Sequence, residues 1–193
     1  MNLINDSNTR LVALDILTRE YANAPNITWV LKPGERNLRF FFSFLIDDVI
    51  QKKGAYITTN NKGVLFLYNQ ENGGISLKAL INKIRLIFFV LGMKKSIQLI
   101  RLQNIQKSIR PKVGLHALAL AIENKQHKYA TGLEIKRELL AIRELNNLPI
   151  YAETTNPRYV RLYETIGFIV YKQIPHPYTH LNIWFLKLES KLK

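Results

Sequence analysis

The side chains able to do chemistry gather in one stretch, residues 115–168, which holds His116, Glu123, His127, Glu153, Asn156 and Tyr163. A phenol with a pKa near ~10 suits a general acid; a carboxylate or an imidazole suits a general base. Asn156-Pro157 reads first as a helix start, since asparagine caps helices and proline favours their first position. Cysteine is absent, which removes disulfides, thiolate nucleophiles, cysteine zinc sites and iron–sulfur clusters. His176 and His180 are separated by Pro177, which breaks helical ligand spacing, so no metal site is expected. Neither a nucleotide-binding glycine motif nor G-x-S-x-G occurs. Tyr151 and Tyr159 are expected to pack.

Positioning these residues requires alternating strands and helices. Leu11, Leu14, Thr18 and Tyr21 recur at helical spacing and predict a helix over about 8–22, capped by Ser7 or Asn8 and ended by Pro25. A second helix is expected over 34–53, with Gly54 as its stop. Residues 55–59 and 64–69 read as strands joined by the turn Asn60-Asn61-Lys62-Gly63. From 76 to about 109 the period is helical again, divided at Gly92 and closed by Pro111. Then follow a strand over 115–123, a helix from about 131 to 146, a strand over 149–154 and a helix over 156–165 stopped by Gly167. Strands at 168–173 and 181–188 end the chain. The order predicts a layered α/β domain, and 193 residues fit a single domain spanning 1–193.

The charge is strongly basic, with 28 Lys and Arg against 14 Asp and Glu, net +14. Residues 76–112 hold Lys78, Lys83, Arg85, Lys94, Lys95, Arg101, Lys107, Arg110 and Lys112 and no acid. This basic helical insert favours an anionic surface partner. The start of the chain is polar, and the apolar run at 86–93 is shorter than the ~20 residues a spanning helix needs. A soluble, cytoplasmic protein is expected.

One block carries a resemblance. NPRYVRLYETIGF at 156–168, after LPIYAETT, resembles the N-P-x-N-x-x-L-Y-x-x-x-G-F segment of the GNAT acetyltransferase superfamily. EYANAPNITWVLKPGERN at 20–37 resembles the linker between the first helices in one branch. A helical insert before the fourth strand is similar to puromycin-acetyltransferase-like members. The resemblance implies a mixed, mostly antiparallel sheet flanked by helices, with splayed fourth and fifth strands and a short first strand within 1–4.

The activity it implies is transfer of an acetyl group from acetyl-CoA to an amine, with no metal. The pantetheine arm would lie along Leu120, Ala121 and Ile122, with a backbone N–H near Leu120 as the oxyanion donor. The pyrophosphate would sit at His127, Lys128, Tyr129, Ala130, Thr131, Gly132 and Leu133, where a loop opens a helix. Here the chain departs from the family's Q/R-x-x-G-x-G/A, because His127 and Ala130 replace a Gln or Arg and a glycine, leaving a degenerate loop. Tyr163 matches the acid that protonates the leaving thiolate. Asn156 and Arg158 would contact the CoA arm. Glu153 and Glu123 are the candidate bases, with His116 the weaker third. Two alternatives stand beside this reading: a degenerate member that binds acyl-CoA without turnover, and a basic module that docks nucleic acid or an anionic membrane through 76–112.

Overall fold

The computed structural model describes residues 1–69, 90–123 and 128–190. A short strand β1 (Asn2–Leu3) precedes three helices, α1 (Ser7–Glu20), α2 (Pro25–Thr28) and α3 (Glu35–Gln51). Strands β2 (Ala55–Ile57) and β3 (Gly63–Asn69) follow, and then α4 (Met93–Ile109) and β4 (Leu115–Ile122). The chain continues through α5 (Lys128–Asn146), β5 (Ile150–Thr154), α6 (Pro157–Ile166), β6 (Ile169–Pro175) and β7 (Asn182–Leu188). Residues 76–89 of the expected insert lie outside the described residues. Its second half is α4, which starts after Gly92 at φ 79°.

All these strands form one seven-stranded sheet in the order β1-β2-β3-β4-β5-β7-β6. Every neighbouring pair is antiparallel except β4–β5, which is parallel. The mixed, mostly antiparallel sheet flanked by helices is therefore as expected, and the short first strand exists. On one face Leu14, Leu17, Phe42 and Ile46 of α1 and α3 pack against Ile57, Phe66, Ala119 and Ala121. On the other, Ile135 and Leu139 of α5 cover Leu65, Leu67, Ile150 and Leu186. A third cluster joins Leu102 of α4 to Ile183 and Phe185 of β7, with Trp29 against it.

Local chemistry explains the ends of the helices. The cap of α1 is Asp6, whose carboxylate accepts from the Asn8 and Thr9 amides at 2.8 and 2.9 Å. Ser7 and Asn8, the expected caps, lie inside the helix, because the Asp6 carboxylate accepts from both amides from the preceding position. Pro25 does more than end a helix, since it opens α2. In α6 the Asn156 side chain accepts from the Arg158 amide at 2.9 Å, Pro157 takes the first position, and Gly167 closes the helix at φ 109°.

The stop after α3 differs from expectation. Lys53, not Gly54, takes the left-handed conformation, at φ 52°. Gly54 is required by packing, because a Cβ there would lie 2.5 Å from the Leu67 carbonyl oxygen. Gly54→Ala is therefore expected to cost about 1–3 kcal/mol, a typical overpacking penalty. Lys53→Gly should be neutral to stabilising, since a left-handed L-residue is strained by about 1–2 kcal/mol. Urea denaturation of both variants checks the assignment.

Candidate active site

The parallel strands β4 and β5 pair at only three positions, Leu115 with Ile150, His116 with Tyr151 and Ala117 with Ala152. Beyond them β4 runs on to Ile122 beside β3, and β5 to Thr154 beside β7. The two strands part, leaving one edge of β4 without a strand partner among the described residues. The register between β3 and β4 shifts at Phe66/Leu67, opposite Leu118, and such a bulge bends the strand that carries it.

The phase of the exposed backbone is fixed. The Glu123 amide donates to the Lys62 carbonyl at 2.7 Å. Because donors alternate sides along an antiparallel strand, the Leu120 and Ile122 amides turn away from β3 and into the gap. Leu120 is met there by Tyr21, whose hydroxyl donates to its carbonyl at 3.1 Å and accepts from its amide at 3.4 Å.

Tyr163 reaches the same region from α6, packing against the α5-side core with Leu120. Its ring meets Phe168 at 5.0 Å. Burial, and then the neighbouring Tyr159, push its phenol up to about 12. Burial also raises Tyr21, with Tyr163 the next contributor. Tyr21 was not singled out by sequence, where it counted only as an apolar position of the first helix. Asn156 and Arg158 sit at the N-terminus of α6, directly after β5.

The candidate bases are all engaged or shielded. Glu153 is gripped by the Arg110 guanidinium, through Nε and through Nη2 at 2.7 Å, and by Gln106 Nε2 at 2.7 Å. Sequence reasoning missed this lock, because no local spacing announces a pair between α4 and β5. Glu123 pairs with Lys62 at 2.8 Å and Arg19 at 2.5 Å. The Lys62 bond, and then the Arg19 charge, hold its carboxyl below the usual range against a smaller desolvation effect. His116 is buried, with Nδ1 3.4 Å from the Tyr68 hydroxyl and Nε2 4.0 Å from Glu153. Nε2 makes no hydrogen bond among the described residues. Desolvation, and then the charges of Arg110 and Lys52, pull this imidazole down to about 3.

Helix α5 begins at Lys128 and not at about 131, so Tyr129 and Ala130 join Thr131, Gly132 and Leu133 in the helix. His127 lies outside the described residues, and only the backbone of Lys128 is described. Among the described residues, positive φ without glycine is confined to Lys53, Asn61 and Asn147. Ala130 thus replaces a glycine without backbone strain. Thr131 is buried and its hydroxyl accepts from Asn60 Nδ2 at 3.0 Å. Gly63 makes room for it, since a Cβ there would come within 2.6 Å of Thr131 Cγ2. The hairpin between β2 and β3 thereby anchors the start of α5, whose first amides lack intrahelical acceptors. A separate cavity of about 480 Å³ lies among α1, α2 and α3, lined by Thr18, Arg19, Ile27, Leu31 and Lys32, and none of the gap residues borders it.

No family model matches the chain, and no curated protein is a significant match. Solved structures do match. One, described as histone acetyltransferase HPA2 and related acetyltransferase from Corynebacterium glutamicum, superposes with a TM-score of 0.66 at 16% identity, covering 100% of this chain and 96% of that one. Arylalkylamine N-acetyltransferase 2 from Aedes aegypti gives 0.60 at 16%, with 98% of each chain covered. The NatC complex bound to Gag peptide and CoA gives 0.53 at 13%, covering 97% of this chain and 96% of that one. At these identities the likeness is one of fold, and the fold is that of the GNAT acetyltransferases.

The burial of His116 sets a pH dependence. Below its unfolded pKa of 6.5 the unfolded chain binds a proton that the folded chain refuses until about 3. Stability should therefore fall as pH drops through this window, by up to about 1.4 kcal/mol per pH unit for one proton. His176, also lowered by burial, acts with the same sign. Urea unfolding of His116→Gln between pH 7 and 5 should show a slope reduced by about one proton; an unchanged slope contradicts the burial account.

Proposed function

We propose that the chain is an acetyl-CoA-dependent N-acetyltransferase that moves an acetyl group to an amine by direct attack. The observation that supports this most is the parting of β4 from β5, with the Leu120 backbone turned into the gap. Acetyl-CoA supplies the thioester. The unpaired edge at Leu120–Ile122 offers its arm the hydrogen bonds of a strand neighbour. The fit has a witness in this structure, because Leu120 already takes a hydroxyl that both donates and accepts, as an amide would. The first amides of α5, at 128–130, lack intrahelical acceptors and with the helix dipole suit a pyrophosphate, and Ala130 stands there without positive φ. Asn156 and Arg158 flank the arm from α6.

The chain's own groups have separable roles. The Leu120 N–H stabilises negative charge on the carbonyl oxygen as the amine nitrogen bonds to carbon. As the carbon–sulfur bond breaks, Tyr163 gives its proton to the departing thiolate. A phenol pushed up to about 12 stays protonated across neutral pH, so the donor is always loaded. The amine loses its proton to water, and the phenol is reprotonated from solvent. Glu153 and Glu123, as ion-paired carboxylates, hold α4 to β5 and β4 to α1; a role for either as base remains part of the proposal only if its cation moves away. The basic insert supports the puromycin-acetyltransferase-like branch. A cytoplasmic setting belongs to the same reading, since acetyl-CoA is an intracellular metabolite. Among the described residues no helix is long and apolar enough to cross a membrane.

A second reading concerns the surface. Met93, Ile97 and Ile100 of α4 are exposed, beside Lys94 and Arg101, and this favours an anionic surface partner for the insert. Binding of the chain to anionic vesicles that weakens steeply with salt, with Lys94→Glu/Arg101→Glu abolishing it, tests that partner.

Two outcomes test the enzyme. Acetyl-CoA at ~100 times its Kd should add ~2.7 kcal/mol, a rise of roughly 5–10 °C in Tm for a chain this size, with no rise from ATP. Binding without thiol release from any of a panel of amines would mark the degenerate alternative. Tyr163→Phe should lower kcat by about 100-fold or more with KM for acetyl-CoA nearly unchanged; an unchanged kcat removes its role as acid.

A further inference from the structure

The Tyr21 hydroxyl stands where the proposed function puts the acyl donor. Tyr21 is the C-cap of α1, and its amide closes the helix on Leu17 at 3.0 Å. Its side chain reaches across 99 residues of sequence to Leu120. There one hydroxyl satisfies both backbone groups, donating to the carbonyl at 3.1 Å and accepting from the amide at 3.4 Å. These are the groups that alternation turns away from β3, so no strand among the described residues competes for them. Buried backbone groups without partners are costly, and in the free chain Tyr21 removes that cost at the point where β4 has lost its neighbour.

The contact is held in place. The Tyr21 ring packs on Phe42 of α3 at 5.4 Å, and its desolvated phenol is held in the neutral form that can donate and accept at once. The donor would need the same two groups, the Leu120 carbonyl for an amide of its arm and the Leu120 N–H for its thioester carbonyl. Two occupants cannot share them.

We propose that Tyr21 is a gate on the acyl-donor cleft, a stand-in that pairs with Leu120 in the free chain and must swing away when the donor's amide-bearing arm enters. This rests on the function proposed above. Its consequence is that the free chain is stabilised at the expense of donor affinity, and that the end of α1 moves as the donor binds. The longer of the two bonds is the one to the amide, so the oxyanion donor is the group more readily released.

The test compares the full chain with Tyr21→Phe, which keeps the ring on Phe42 and removes the hydroxyl. Calorimetry with free CoA should show about fivefold tighter binding by the variant, the worth of one ordinary hydrogen bond. Hydrogen exchange at the Leu120 amide should be faster in the variant than in the native chain when both are free, and equal when both are saturated with CoA. Phe42→Leu loosens the same packing but leaves the hydroxyl on Leu120, and should tighten binding by clearly less than Tyr21→Phe. Equal or weaker CoA binding by a folded Tyr21→Phe, or an equal gain from Phe42→Leu, overturns the gate. If neither the native chain nor Tyr21→Phe binds CoA while Leu120 exchange still accelerates, the contact is real, the gate is overturned, and the failure lies with the acetyltransferase reading.

Discussion

A strand that loses its neighbour part-way along must still satisfy its backbone, and this demand organises the molecule. β4 keeps β3 on one side for its whole length but keeps β5 for three positions only. The parting follows from what each strand holds on to. β5 is drawn to β7 through Thr154↔Trp184, and β4 is tied to β3 as far as Glu123 and Lys62. The bulge opposite Leu118 bends β4 between those anchors. The result is an open edge bordered by helices on both faces, with a tyrosine from each side.

The helical supports are held by polar bonds at their ends. Arg110 and Gln106 fasten the C-terminal part of α4 to Glu153 at the point where β5 leaves β4. Arg19 and Lys62 meet on Glu123, fastening α1 and the β2–β3 turn to the end of β4. Exposed pairs stabilise little, whereas Arg110–Glu153 is mostly buried; what both sets share is position. They fix the distance between the layers that flank the edge. His116 lies behind the Glu153 lock, neutral and buried, and makes that layer sensitive to acid.

The strands and long helices were legible because their signals are local: alternation, helical period, a capping asparagine, a first-position proline and a closing glycine. The block at 156–168 was the clearest case, and Asn156, Pro157 and Gly167 hold in the structure the positions that their chemistry favours. Tyr163 was found through resemblance, and its partly buried place against the same core cluster as Leu120 could not be read from the chain. The rest depended on long-range contacts. Nothing near Tyr21 announces Leu120, and nothing near Glu153 announces Arg110. The start of α5 fell three residues early for a related reason: Thr131 is buried against Gly63 and bonded to Asn60 of the distant β2–β3 turn, inside the helix. Gly54 shows the same limit, since a close approach by Leu67 keeps the position glycine, while Lys53 makes the turn.

The central claim is that the edge between β4 and β5 is where an acyl-CoA lies. Hydrogen exchange of the native chain with and without acetyl-CoA tests it most directly, with ATP as a control polyanion. The account predicts added protection in peptides spanning 118–123 and 128–133 with acetyl-CoA and none at 118–123 with ATP. Protection confined to α4, or identical protection by ATP, would contradict it.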